Sequence, residues 1–350
     1  MTRNDLLLKD FKPDSTLKAK RTEIRKAKIP VIDMHNHLTP VFNFTSNYSP
    51  QDLIKVMDEM GIVAMTNLNG GWGDTLVDNL NRFDRAYPGR FLTFCNLDFS
   101  LMTDMPAFST HVKQTITEGA KQGMRAIKIF KEVGLRYKDS AGNVVLPDDD
   151  KLRVVWETAA KVDLPVLYHI ADPLAFFQPL TPNNERIEQL IASPHWSFYG
   201  PEFPSRDKLL ECQQKMLEKN PHTRYILPHI ASNPEDLEYV SHLFDTYSNF
   251  VVDTSARVGD LGRQPYAARK FMIKYADRIL YGLDAPPNRE MYTISFRFFE
   301  TDDEYFNDRG ESSDIPRRWM IYGIYLPDDV LKKIYHDNTV KVFGELERRS

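Results

Sequence analysis

The stretch Val31–Pro40 reads VIDMHNHLTP, and the rest of the chain is best read outward from it. An apolar pair and an aspartate lead into two histidines, His35 and His37, one residue apart. In an extended segment alternate side chains point to the same side, so these two imidazoles would converge on one point. The pair is either a coincidence or half of a metal site. Other parts of the chain must supply the second half.

Short apolar, β-branched runs recur along the 350 residues, separated by stretches long enough for a helix. They are PVIDMHNH (30–37), GIVAMTNLN (61–69), RFLTFCNLD (90–98) and MRAIKIF (124–130), then LPVLYHI (164–170), RYILPHI (224–230), NFVVDTS (249–255) and RILYGLDAP (278–286). Cap and proline signals at Ser49-Pro50-Gln51-Asp52, Leu146-Pro147-Asp148-Asp149 and Asn233-Pro234-Glu235-Asp236 mark helix starts between them. Strand–helix alternation predicts parallel strands with helical crossovers. Eight such units predict an α/β fold, the (β/α)8 TIM barrel. No Gly/Ser-rich linker or like-charge block divides the sequence, so 1–29 reads as a lead-in segment and 30–350 as one barrel domain. Residues 171–223 and the aromatic-rich 287–325 break the rhythm. They are predicted insertions after strands five and eight, near the mouth, and candidate substrate walls.

Composition excludes several classes. Apolar residues make up 42% and charged residues 27%, ordinary for a globular protein. A net charge of −4 gives no global attraction to nucleic acid or an anionic membrane. No apolar run reaches the roughly 18 residues of a membrane span. The N-terminal segment has only a three-leucine patch, too short for a signal-peptide core. Its basic run, Lys18 to Lys28, reads as a solvated lead-in. Cys95 and Cys212 form neither a disulfide framework nor a CxxC pair, which fits a reducing, cytoplasmic setting.

In such barrels the reactive groups sit at the C-terminal ends of the strands. Strand one ends in His35 and His37, strand four carries Lys128, strand five ends in His169, strand six in His229 and strand eight in Asp284. Each histidine alone reads as structural, and Asp284 alone is as readily a helix cap as a ligand. Together, neutral imidazoles and a carboxylate form the donor set that suits Zn²⁺ and its borderline neighbours. Asp33 is either a strand-end hydrogen bond or the carboxylate that fixes a ligand tautomer. Arg257 is either a clamp for a substrate carboxylate or a structural ion pair. Asn67, Asn69 and Trp72, after strand two, are further rim candidates, Phe176, Phe177, Trp196 and Tyr199 are candidate pocket walls, and Lys131 is expected on the surface. No GxSxG elbow occurs, and neither cysteine has an obvious partner histidine.

DMHNH resembles the DxHxH signature of the amidohydrolase superfamily, and His169, His229 and Asp284 fall where its later residues lie. The resemblance runs from Val31 to DNTVKVFG (337–344) and is nearest the branch containing aminocarboxymuconate semialdehyde decarboxylase. It implies one divalent ion, most simply zinc, on His35, His37, His169 and Asp284, with His229 assisting catalysis. Lys128 matches the position that is carboxylated in binuclear members, which would bring a second ion; as the plain lysine of the mononuclear branch it would be a substrate-binding charge. The resemblance also suggests a homodimer.

The expected chemistry follows from that donor set. An ion that lowers the pKa of a bound water to about 7 leaves Asp284 to act as general base and then acid, with His229 polarising the substrate. The leading reading is hydrolysis of an amide, ester or lactone of a small anionic substrate. Non-oxidative decarboxylation at the same site is the alternative, and a barrel that keeps its metal only for stability is a third.

Overall fold

Every one of the eight apolar runs contains a β-strand in the computed structural model, which describes residues 5–7, 10–11, 15–309, 319–344 and 346. The strands are β1 (Val31–Asp33), β2 (Ile62–Asn67), β3 (Phe91–Thr93), β4 (Ile127–Ile129), β5 (Val166–Tyr168), β6 (Tyr225–Leu227), β7 (Phe250–Asp253) and β8 (Ile279–Leu280). They are shorter than the runs predicted, because each polar C-terminal end leaves the ladder. Pairing is parallel, in the orders β1-β2-β3 and β4-β5-β6-β7-β8. The protein therefore has an α/β fold with parallel sheets.

Backbone hydrogen bonds also cross both gaps between the sheets. Cys95 N donates to Ala126 O (2.9 Å) and Lys128 N to Cys95 O (2.8 Å), beside β3 and β4. Met34 N donates to Tyr281 O and Asp284 N to His35 O, each at 2.9 Å, beside β8 and β1.

Helices fill the crossovers: α1 (Pro50–Met60), α2 (Gly73–Asn79), α3 (Met105–Gln122), α4 (Arg153–Lys161), α5 (Arg206–Lys219), α6 (Leu237–Thr246) and α7 (Pro265–Lys274), with α8 (Arg289–Glu300) after β8. The cap signals explain their starts. Ser49 accepts from Asp52 N at the head of α1, Asp236 accepts from Tyr239 N at α6, and Asp149 caps a 3₁₀ turn that leads into α4. At the other end of α1, Gly61 (φ 78°) takes the left-handed turn and its N–H bonds Met57 O. Buried side chains fall into two sets. Ile32, Ala64, Leu92, Leu167, Ile226 and Leu280 belong to one apolar cluster drawn from β1, β2, β3, β5, β6 and β8. A larger set packs strands against helices.

The described part of the lead-in docks on the end of α8 and is not simply solvated. Thr22 N and Oγ each donate to the Asp303 carboxylate at 2.6 Å, as does Arg297 Nε at 2.7 Å. Lys20 and Lys28 pair with Asp302 and Asp328. Leu8 of the three-leucine patch, and 310–318 of the aromatic segment after β8, lie outside the described residues. Among the described residues no helix is long and apolar enough to cross a membrane.

Candidate metal centre

β1 stops at Asp33, so His35 and His37 follow the strand instead of completing it. Asp33 is fully buried and accepts from His35 N (3.2 Å), Leu283 N (3.0 Å) and Tyr292 Oη (2.7 Å). Burial pushes its pKa up to about 6, against those hydrogen bonds. It is thus the strand-end hydrogen bond, tying β1 to the segment after β8. The carboxylate that reaches the His35 Nδ1 is Asp253, at the end of β7, with its Oδ2 at 2.8 Å.

The oxygen beside each ring decides which nitrogen faces inward. Carboxylates, amide oxygens and carbonyls only accept, so the ring nitrogen beside one carries the proton. His35 Nδ1–H donates to Asp253. His37 Nδ1–H donates to Asn69 Oδ1 (2.7 Å), and the Asn69 amide orientation is set because its Nδ2 donates to Thr39 O (2.8 Å). His229 Nδ1–H donates to Ser255 O (2.9 Å). In all three rings Nε2 is then the nitrogen left to face inward.

Those nitrogens converge on Asp284. Its Oδ1 lies 3.5 Å from His37 Nε2 and 3.9 Å from His35 Nε2, and its Oδ2 lies 3.9 Å from His229 Nε2. Two left-handed backbone segments make this possible: Asp284 has φ 50°, and His229 to Ser232 all have φ between 51° and 60°. His229 therefore sits in a turn after β6, not on the strand. His169 is brought beside His229, with ring centroids 4.3 Å apart. Its Nε2 lies 3.4 Å from Asp172 Oδ1, however, and His169 is not in the close group formed by His35, His37 and Asp284.

Burial pushes His37 down to about 3 and His169 to about 4, and it holds His229 well below the ordinary imidazole value. These rings stay neutral at pH 7. Asp284 is held at about 2, because the surrounding His35, His37 and Lys128 outweigh its own burial. The fit to a divalent cation is good. Nε2 of His35 and of His229 are buried without a hydrogen-bond partner, and an ionised carboxylate stands among bare imidazole lone pairs.

Around this group lie the other candidates. Lys128, on β4, is buried with Nζ unpartnered, 5.1 Å from the Phe130 ring centroid, and burial lowers its pKa to about 8. Arg257 is buried after β7. Its Nη1 donates to Ala256 O (3.0 Å), its Nη2 is 3.9 Å from Asp172 Oδ1, and its Nε has no partner. Phe44 stacks on His37 at 4.1 Å and 14°, with Phe130 5.3 Å from Phe44 and Phe42 5.5 Å from Phe130. Trp72 stands behind this wall, 6.0 Å from Phe42 and 5.9 Å from His111. Phe176 and Trp196 stack on each other, and Phe177 packs on Phe198. Tyr199 is exposed. Lys131 is not a surface residue: it is largely buried and pairs with Asp172.

Asp253, Ser255 and Asp172 escaped the reading of the sequence. Asp253 and Ser255 stand in NFVVDTS, at a strand end like the histidines, and position alone was a usable signal. Asn69, a rim candidate in the sequence, holds His37.

Three bare imidazole lone pairs and a carboxylate at one end of parallel strands define a candidate divalent-metal centre on an α/β scaffold. The chain belongs to the amidohydrolase family, whose sequence profile matches residues 32–344. Its fold is shared by solved structures that include decarboxylases and amidohydrolases. No curated protein matches the sequence.

Similar solved structures include 2,6-dihydroxybenzoate decarboxylase from Rhizobium (TM-score 0.54, 16% identity, 90% of this chain and 98% of that one). A dihydroxybenzoic acid decarboxylase from Polaromonas sp. JS666, holding manganese and 2-nitroresorcinol, has TM-score 0.56 and 16% identity over 90% and 97% of the chains. A protein described as a 2-pyrone-4,6-dicarboxylic acid hydrolase from Acinetobacter baumannii, with citric acid bound, has TM-score 0.51 and 11% identity over 90% and 100%.

Proposed function

We propose that this protein is a metal-dependent, non-oxidative decarboxylase of a small, flat carboxylic acid. We propose further that its two sheets close into one (β/α)8 barrel, with the centre at the C-terminal mouth. The hydrogen bonds across both sheet gaps, and the inner cluster drawn from strands of both sheets, support closure. His35, His37 and Asp284, with His169 completing the set, would hold one divalent ion. Zinc suits the donors, and manganese occupies a similar structure. Such an ion supplies a Lewis acid that orients and polarises the oxygens of a substrate.

One observation carries the choice of reaction. Where a side chain, and not the ion, is to stabilise the oxyanion of hydrolysis, a hydrogen-bond donor must face it. His229 was the expected donor, yet its only ring proton is committed to the Ser255 carbonyl and its pKa is depressed, so it offers an acceptor to the site. Decarboxylation needs instead a proton for the carbon that loses its carboxylate. Asp284, ionised at rest, takes a proton from solvent water and delivers it to that carbon. As the C–H bond forms, the C–C bond breaks and CO₂ leaves, with the electron pair retained by the product. Lys128 and Arg257 provide cations for an anionic substrate, and the Phe44, Phe130 and Phe42 wall provides a face for a planar one. The hydroxybenzoate decarboxylases among the similar structures point to the same substrate class.

Hydrolysis stays as a second reading, because an ionised Asp284 could equally take a proton from water and pass it to a leaving group. Metal-loaded protein should release labelled CO₂ from a carboxyl-labelled hydroxybenzoate panel, with one deuterium entering the product in D₂O. Asp284→Asn should abolish that release while the fold survives. Label from H₂¹⁸O entering products of esters or lactones, with no CO₂ from any acid, would sink the decarboxylase reading.

A further inference from the structure

We infer that Asp253 is a positioning residue that dictates which ring nitrogen His35 presents to the ion and holds the turn that carries His229. The inference rests on the metal reading only in saying what those nitrogens face. Oδ2 of Asp253 accepts from His35 Nδ1 at 2.8 Å. Oδ1 accepts from His229 N at 3.0 Å, from Ser255 N at 3.1 Å and from Ser255 Oγ at 2.5 Å. Ser255 Oγ, its own proton so committed, lies 3.0 Å from His35 Nδ1 and 2.9 Å from His229 Nδ1, where it can only accept. One fully buried carboxylate thus reaches the His35 ring and the His229 backbone N–H, which come from different strand ends.

His35, His229 and Asp253 also lie close enough to form a second ion site. The Nδ1 protons and the Ser255 hydroxyl already occupy that space with hydrogen bonds, so it acts as a buttress.

The buttress depends on tight packing. A Cβ added at Gly282 would lie 3.0 Å from His35 Cβ, 3.1 Å from Ser255 Cβ and 3.5 Å from Asp253 Cγ. The bare backbone after β8 is what lets the three side chains close up. The anchored turn has four successive left-handed residues, each costing about 1–2 kcal/mol relative to ordinary backbone. The bond from His229 N to Asp253 helps hold it in place.

Asp253→Asn has a definite consequence. Two of the donors at Oδ1 are backbone N–H groups, which cannot reverse, so the new amide must keep its oxygen there. Its NH₂ then faces His35 Nδ1, which has to become an acceptor. The His35 proton moves to Nε2, and the ring shows the ion a donor where a lone pair stood.

The test uses the full chain with ¹⁵N-labelled histidine, freed of metal, and two-bond ¹H–¹⁵N spectra assigned with His35→Gln and His229→Gln. Wild type should show both rings protonated at Nδ1. Asp253→Asn should move His35 to the Nε2–H form and weaken Zn²⁺ binding, titrated with the metal alone, by about 10- to 100-fold. Wild-type spectra with His35 protonated at Nε2 would overturn the assignment, and they need no folded variant. A folded Asp253→Asn that keeps the Nδ1 proton and wild-type zinc affinity would overturn it too. A wild type that binds no zinc, while the tautomers follow Asp253 as described, would sink the metal reading and leave this assignment standing.

Discussion

At the scale of single residues, burial keeps imidazoles of the candidate centre neutral. An unfolded chain gives His37 an ordinary pKa near 6.5, whereas burial holds it at about 3 in the fold. Between those values the unfolded chain binds a proton that the folded chain refuses, so acid favours unfolding. His169, held at about 4, acts in the same direction, and Asp33, raised to about 6, opposes it between its ordinary value and 6. His37→Gln removes one share. Relative to wild type, the metal-free variant should gain about 2 kcal/mol between pH 7 and pH 5, read from urea unfolding at each pH. An unchanged difference would mean that His37 is protonated in the fold.

Asp33 and Asp253 show where residue-level reading reaches its end. Both are aspartates at strand ends, and one sits two residues from His35 while the other is 218 positions away. The near one serves the backbone and the far one serves the ring.

At the scale of elements, short strands with left-handed exits aim the side chains. The eight runs were legible because alternation and helix-length gaps are local properties of a sequence. The exits were not, because His229, Ala256 and Asp284 are non-glycine residues at φ 60°, 54° and 50°, a conformation local preference argues against. Tertiary hydrogen bonds impose it. Asp284 N reaches His35 O, and Ala256 N reaches Leu283 O. Glycine takes such backbone at no steric cost, so Ala256→Gly should raise stability by up to about 1 kcal/mol, against the usual loss for this exchange in a helix. A denaturation midpoint shifted down as far as for an ordinary Ala→Gly would show that position 256 is not left-handed.

At the scale of the whole molecule, the described part of the lead-in is held by buried contacts as well as by exposed ion pairs. Lys20 with Asp302 lies in solvent, and such pairs contribute little. Asp303, by contrast, is buried and receives Thr22 N, Thr22 Oγ and Arg297 Nε. Thr22→Ala should cost about 1–3 kcal/mol, since a buried carboxylate oxygen loses a donor, while Lys20→Ala should leave the melting midpoint unchanged. Equal effects would show that the lead-in is held by surface charge.

Taken alone, the sequence determined the parallel α/β rhythm, the family, and which polar residues stand at the strand ends, because periodicity, capping and motif spacing are written in neighbouring positions. Only the tertiary structure decided which nitrogen each histidine turns inward, that His229 offers a lone pair, and that Asp253 and Asn69 are the groups responsible. A ring's tautomer is set by the oxygen that happens to lie against it, and that oxygen comes from a strand no local pattern connects to the histidine.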